Sequence, residues 1–256
     1  RIVTIALIYH DIAEATHREL VGFPGPTAAR YKLAPERFEA HLDAIAAAAR
    51  RVGLIEPGTL PSIALTFDDG GASALAAADI LERRGWAGHF LVTSSRIGTP
   101  GFLTAEQIRD LSRRGHAVGS HSHTHPTYMG KLSRREIDDE WTRSRTILTD
   151  VLGVPPALAS VPGGFLSNDV INGAAAAGYR VLLTSEPVIR ATRANGLLCI
   201  GRFTIWARTP AERVGAYARG ERRALARTWL EWNLKKLAKT SSPNGYELFR
   251  RRMASR

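Results

Sequence analysis

The stretch SIALTFDDGG (62–71) carries an apolar, β-branched run into two adjacent carboxylates, Asp68 and Asp69, and then two glycines. Taking a carboxylate out of water at the end of a core strand is costly unless something pairs with it, and an Asp ahead of Gly is also the ordinary mark of a turn. Further along, SHSHTHP (120–126) places His121 and His125 four residues apart, ahead of Pro126. If that segment curls into a helical turn, positions i and i+4 bring both imidazoles to one side, where both could ligate one metal ion. One carboxylate more, from Asp68 or Asp69, completes a facial site of two histidines and one carboxylate with open positions for water and substrate. His123 falls at i+2, off that face, and reads as a residue that supports the site or the fold. An isolated H-x-x-x-H is a weak signal; the aspartate pair gives it weight.

The elements that must position these residues alternate along the chain. IVTIALIYH (2–10) reads as a strand, and PERFEAHLDAIAAAARR (35–51) as a helix with Phe38, Leu42, Ile45 and Ala49 on one face. Strands are expected at 62–67, 88–93, 116–120, 157–161, 179–184 and 198–204. Helices are expected from 73 to 84, after TAEQ (104–107), after SRRE (133–136) and over 167–177, two of them opened by capping-box patterns. Repeated β-α-β units imply a parallel sheet, and about seven strands imply a closed or nearly closed barrel. In such barrels the loops after the strands gather on one face. Four polar clusters fall at strand ends: YHD (9–11), FDDG (67–70), SHSHTHP (120–126) and VPGG (161–164).

Composition narrows the function classes. The chain of 256 residues is 44% hydrophobic, with one cysteine, Cys199, which excludes an internal disulfide and a multi-cysteine zinc cluster. No apolar run is long enough to span a membrane. No signal-peptide pattern precedes the first strand, so cytoplasmic and exported locations both stay open. The net charge of +11 is uneven: residues 206–256 hold thirteen Lys/Arg against four Glu, a surplus of +9. That segment lacks zinc-finger spacing and strand-borne stacking aromatics, so no nucleic-acid partner is expected. Within it, residues 221–239 form a helical pattern with an Arg227–Glu231–Lys235–Lys239 stripe and broad apolar coverage from Leu225, Trp229, Leu230, Trp232, Leu234 and Leu237. Such a helix docks on its own barrel, or offers a peripheral contact to a membrane or a partner protein. TSSPNG (240–245) should end it, and the basic FRRRMASR (249–256) should fray.

Together, TFDDG (66–70) and HSHTH (121–125) resemble the first two motifs of the polysaccharide deacetylase (NodB-homology) superfamily, carbohydrate esterase family 4. The resemblance covers roughly residues 1–205. It implies an α/β fold, a distorted (β/α)7 barrel over 1–205; the charge and helical pattern beyond it make 206–256 a basic helical extension, expected to pack on the barrel. It also implies an enzyme that removes N-acetyl groups from an N-acetylated sugar of a polysaccharide or its precursor, using one divalent metal ion, zinc first and cobalt or nickel as alternatives. By the same likeness Asp68 is the general base, and Asp69, His121 and His125 hold the metal. The metal would acidify its water and polarise the acyl carbonyl, while Asp68 takes the proton and backbone N–H groups share the oxyanion.

The sequence departs from that pattern twice. No histidine follows His125, and the late region LLCIGRFTIW (197–206) offers Arg202 where most members carry the acid histidine. LIYHDI (7–12) looks like the arrangement of circularly permuted members, which assigns His10 as general acid. His89 and His116 read as structural, and His17 and His41 as exposed. In ASVPGGF (159–165), Ser160 or Val161 stands where an arginine that orients the base is expected, with Arg202 as its candidate replacement. Gly163 and Gly164 could offer N–H groups to the oxyanion, and Glu186 in TSEP (184–187) could line the pocket. Two other readings stay open: an amidase acting on a small cyclic or linear amide, and a carbohydrate-binding relic without catalysis. A groove lined by Trp or Tyr rings favours the polymer; a closed apolar pocket favours the small amide.

Overall fold

The computed structural model describes residues 3–56 and 58–241, so the TSSPNG break beyond Ser241 and the FRRRMASR tail lie outside the described residues. The strands are β1 (Ile5–Tyr9), β2 (Ile63–Phe67), β3 (His89–Val92), β4 (Ala117–Ser120), β5 (Leu158–Ser160), β6 (Val181–Leu183), β7 (Thr192–Ala194), β8 (Leu197–Ile200) and β9 (Arg202–Thr204). The helices are α1 (Pro26–Ala29), α2 (Pro35–Ala46), α3 (Ala74–Glu82), α4 (Ala105–Arg113), α5 (Arg134–Leu152), α6 (Asn168–Ala176), α7 (Ala211–Arg219) and α8 (Arg222–Ser241). Every residue of β1, β2 and β3 is buried, as strands covered on both faces require, which is why they read as near-continuous apolar runs.

Strands β1 to β6 pair in sequence order, all parallel. The ring closes through one segment that serves two neighbours. β8 pairs with β6, Leu198 opposite Val181, while β9 pairs with β1, Arg202 opposite Ala6, and Gly201 alone separates β8 from β9. A Cβ on Gly201 would lie 2.3 Å from the Glu186 carbonyl and 2.4 Å from Val188, so only glycine lets the strand change partners against that loop. The single strand expected over 198–204 is therefore two short ones, and the sheet wraps into a seven-position barrel with β7 as an antiparallel outrigger on β8. The hairpin between them turns at Asn195 and Gly196, both with positive φ, the N-G signature of a tight turn that the sequence reading passed over.

Helices cover the outside as their patterns demand. Thr104 with Gln107 and Ser133 with Glu136 form the two capping boxes of α4 and α5. Phe38, Leu42 and Ile45 are buried on α2, but α2 ends at Ala46 and Ala49 turns into the left-handed region, so the chain reverses and Val52 can bridge to Ile63. α7 closes over α2, and Val214, Tyr217 and Ala218 share a core with Phe38, Leu42 and Phe203. His41, expected at the surface, is fully buried; its Nε2 donates to the Thr209 carbonyl at 2.9 Å. It lies three residues after Phe38, on the inward stripe of α2, and ties that helix to the turn before α7. His17 is exposed, and His89 and His116 are structural: His89 donates to the Leu65 carbonyl and accepts from the Ile55 N–H, and His116 accepts from the Gly88 N–H.

Among the described residues, one face of α8 rests on the barrel. Ala224 and Leu225 pack against the core and Thr228 meets the Tyr217 hydroxyl at 2.7 Å, whereas Trp229, Leu230 and Leu234 are 49%, 54% and 57% exposed. Arg227 and Glu231 form the expected i, i+4 pair at 2.8 Å; the side chains of Lys235, Leu237 and Lys239 lie outside the described residues. No helix among the described residues is long and apolar enough to cross a membrane.

Candidate metal and catalytic site

The ends of β2 and β4 bring Asp69, His121 and His125 together. Asp69 Oδ1 lies 3.5 Å from His121 Nε2 and 3.4 Å from His125 Nε2, and one donor atom from each residue lies within 4.8 Å of the others. That carboxylate oxygen is buried and accepts no hydrogen bond within the described residues. A buried anionic oxygen without a donor, facing two imidazole nitrogens, fits a divalent cation with mixed nitrogen and oxygen ligands.

The loop that carries the histidines is not a helical turn. Ser122 and His125 both have left-handed backbone, at φ 64° and 61°, as does Asp69 at 77°, conformations a non-glycine residue keeps only when its surroundings hold it there. The holding groups are visible. The N–H groups of His123 and Thr124 each donate to Glu140 Oε2 at 2.8 Å, the Thr124 hydroxyl donates to Glu140 Oε1, and the His125 N–H donates to Ser122 Oγ at 3.1 Å. Glu140 was missed in the sequence, yet it is a carboxylate three residues after Ile137 on the buried face of α5, which is a signal in itself. His123 turns away from the site to Ser94, Nδ1 to Oγ 2.9 Å.

Asp68 is held from β9, the strand beyond β1. Arg202, fully buried at the start of β9, donates from Nη1 to Oδ1 at 2.8 Å and from Nη2 to Oδ2 at 2.9 Å. The same guanidinium donates to the Thr184 carbonyl and the Thr66 hydroxyl, so its plane is fixed by strands on both sides. A bidentate pair of this kind sets the orientation of the carboxylate as well as its charge. Ser160, at the end of β5, lies between the two halves: its Oγ is 2.6 Å from His121 Nδ1 and 3.3 Å from Asp68 Oδ1.

These contacts decide the ionisation states. Burial alone would raise the Asp68 carboxyl, but the charge and hydrogen bonds of Arg202 hold it below its ordinary value. Burial would likewise raise Asp69, and the His125 imidazole beside it holds it below the usual carboxylate range. Burial pushes His121 down to about 4, which keeps it neutral and able to ligate. His125 is raised, because the Asp69 and Asp68 carboxylates outweigh its burial.

His10 follows β1, level with Asp68, whose N–H donates to the Tyr9 carbonyl at 3.0 Å. Its charge acts on both Asp68 and Asp69, and its Nδ1 is buried without a hydrogen-bond partner among the described residues. Its ring packs on Tyr31 at 4.4 Å between centroids, and Tyr31 stacks on Trp206 at 4.6 Å. Across the site Phe23 packs on His125 at 4.8 Å. None of these three aromatics was singled out in the sequence. Gly163 and Gly164 sit in a turn after β5, both with positive φ, and a Cβ on Gly163 would fall 2.5 Å from the Thr127 carbonyl, so this turn leans on the loop just past His125. Glu186 pairs with α8: its Oε1 is 3.3 Å from Lys236 Nζ.

Comparison with known proteins adds a second line. Residues 56–182 match the sequence profile of the family described as polysaccharide deacetylase. The chain is 24% identical over 156 residues to YxkH of Bacillus subtilis (strain 168), provisionally named a polysaccharide deacetylase, covering 60% of this chain and 55% of that protein. It is 29% identical over 166 residues to the peptidoglycan-N-acetylglucosamine deacetylase PgdA of Listeria monocytogenes, covering 61% of this chain and 34% of that one. The chain thus spans about half of the first relative and a third of the second. Among solved structures, a polysaccharide deacetylase from Bacillus cereus superposes with a TM-score of 0.72 at 20% identity, over 84% of this chain and 69% of that one, a likeness of fold.

Proposed function

We propose that this chain, whose residues 56–182 match the polysaccharide deacetylase family, is a metal-dependent hydrolase that removes N-acetyl groups from an N-acetylated sugar of a polysaccharide or its precursor. The observation that carries the reading is the juxtaposition of a buried Asp–His–His cluster with a second aspartate clamped by a buried arginine. Asp69, His121 and His125 would hold the ion. When bound, a divalent metal makes a water acidic near neutral pH and polarises the acyl carbonyl.

The chain's own residues supply the rest. Asp68, kept ionised by Arg202, accepts the proton of the attacking water, and the bidentate clamp prevents it from rotating away. As the C–N bond breaks, His10 donates a proton to the leaving nitrogen, which would otherwise depart as an unstable amide anion. The N–H groups of the Gly163–Gly164 turn stand as donors to the developing oxyanion. Placing the acid on β1 follows the permuted motif order suggested by LIYHDI. The Tyr31 and Trp206 rings beside His10 and Phe23 beside His125 support a ring-shaped substrate over a small amide, since flat apolar faces stack on sugar rings. The name of PgdA makes an N-acetylglucosamine polymer the first substrate to test.

The test is acetate release from N-acetylglucosamine oligomers, peptidoglycan and a panel of small cyclic amides, with zinc, cobalt or nickel supplied after chelation. Metal-dependent release from the glycans is the expected result. Release from the small amides alone would replace it with the amidase reading, and metal binding with no release from any of them would leave a carbohydrate-binding relic.

A further inference from the structure

Where the family resemblance leads one to expect an arginine, Ser160 is fully buried and its hydroxyl reaches both His121 and Asp68. We propose that Ser160 is a positioning residue that fixes the tautomer of His121 and links that imidazole to the carboxylate of Asp68. The inference rests on the reading of His121 as a metal ligand, and its first measurement needs no metal.

The direction of the chain of hydrogen bonds follows from what each nitrogen faces. His121 Nε2 points to Asp69 Oδ1, at 3.5 Å, and Nδ1 points to Ser160 Oγ, at 2.6 Å. A nitrogen that binds a metal must present its lone pair, so the hydrogen of the neutral ring belongs on Nδ1, which then donates to Ser160. The serine has one hydrogen, and with its oxygen accepting from His121 that hydrogen is left for Asp68 Oδ1, 3.3 Å away. Oδ1 thereby accepts from Ser160 and from Arg202 Nη1. Oδ2, which takes the single bond from Nη2 and lies 4.0 Å from His121 Nε2, keeps a lone pair toward the cluster.

The opposite polarity is self-defeating. With the hydrogen on Nε2, His121 would direct a donor at Asp69, block its own ligand position, and draw the serine hydrogen to Nδ1 and away from Asp68. Two carboxylates near Nε2 favour that wrong tautomer electrostatically, Asp69 at 3.5 Å and Asp68 at 4.0 Å. In the described structure Ser160 is the group that acts against them at Nδ1. Arg202 takes over orientation of the base from β9, which frees the β5 position for a small hydroxyl that serves both sides of the site.

The experiment is histidine-selective ¹⁵N NMR on the whole metal-free chain near neutral pH, followed by zinc affinity from competition with a chromophoric chelator, for the native protein and Ser160→Ala. The native His121 should carry its hydrogen on Nδ1. The variant should move toward the Nε2–H form and bind zinc about 10- to 100-fold more weakly, the usual cost of losing a partner of a ligating histidine. A native His121 protonated on Nε2 overturns the proposal even if the variant does not fold, and so does a variant with unchanged tautomer and zinc affinity. If the native protein binds no zinc, the metal-hydrolase reading fails, while the tautomer of His121 still decides the role of Ser160.

Discussion

Asp69, His121 and His125 reach one another from two short loops, the second of which is held by Glu140 and by the bond from His125 to Ser122, whereas Asp68 is gripped by side chains of β5 and β9, 92 and 134 residues away in sequence. The first half of the site is local: motif residues, loop geometry and anchoring bonds lie within β2, β4 and α5. The second half exists only once the barrel has closed, since β9 meets β1 through the strand switch at Gly201. On the proposed roles, one half would act as a chelating loop and the other as part of the core. Their failures should differ accordingly.

The sharpest test of that contrast substitutes the two adjacent aspartates. Asp69→Ala removes the carboxylate ligand and should abolish bound zinc, and with it all measurable turnover, while the far-ultraviolet circular dichroism stays native. Asp68→Asn should keep the metal and lose turnover by about 10²- to 10⁴-fold, the range for removing a general base. Metal analysis beside rate measurement separates the two, and full zinc occupancy in Asp69→Ala would dissolve the division into halves.

His10 stands on the base side. His10→Ala should leave zinc bound and lower turnover on an N-acetyl sugar by about 10²-fold. If Asp68 is the base and His10 the acid, activity requires the first ionised and the second protonated, so the native pH profile should be bell-shaped, and the variant should lose its alkaline limb. An aryl acetate, whose leaving group needs little protonation, should suffer much less. Equal losses on both substrates would remove His10 from the role of acid.

The same contrast explains what could be read in the sequence. Asp68 and Asp69 were legible because they interrupt a buried strand, and His121 and His125 because they recur at one strand end within five residues. The strands and capped helices were legible because their burial is periodic and their caps are local. Ser160 gave no such sign, since a lone serine at a strand end has many uses and its partners are fixed by the parallel pairing of β4 with β5. Arg202 was a middle case: an arginine within an apolar run must pair inside the core, but only the closed ring says with whom. His41 went the other way, because its burial depends on the turn before α7 that closes over its helix face.

The smallest expected effect, and the one that speaks most directly to how the base half is built, is that of Arg202→Lys. Lysine keeps the positive charge but not the planar fork, so it can satisfy one oxygen of Asp68 while giving up the simultaneous bonds to the Thr184 carbonyl and the Thr66 hydroxyl. Burial would then raise the Asp68 carboxyl with less opposition. The base must be ionised to act, so the acid limb of the pH profile should move to higher pH, with roughly a tenfold loss of rate at neutral pH and zinc affinity unchanged. The linkage to stability runs the same way: a carboxyl held low in the folded state contributes stability above its unfolded value of about 3.9, and loses it as the pH falls through the folded value. Weakening the clamp should therefore shift acid unfolding to higher pH as well. Arg202→Met, which removes the charge and strands a buried carboxylate, marks the upper bound at about 3–5 kcal/mol of stability by urea unfolding. If Arg202→Lys left the acid limb and the acid unfolding midpoint where they were while Arg202→Met moved both, charge alone would hold Asp68 and the bidentate geometry would be incidental. If neither moved, Asp68 would not be held by Arg202 in solution, and the core-built half of the site would lose its basis.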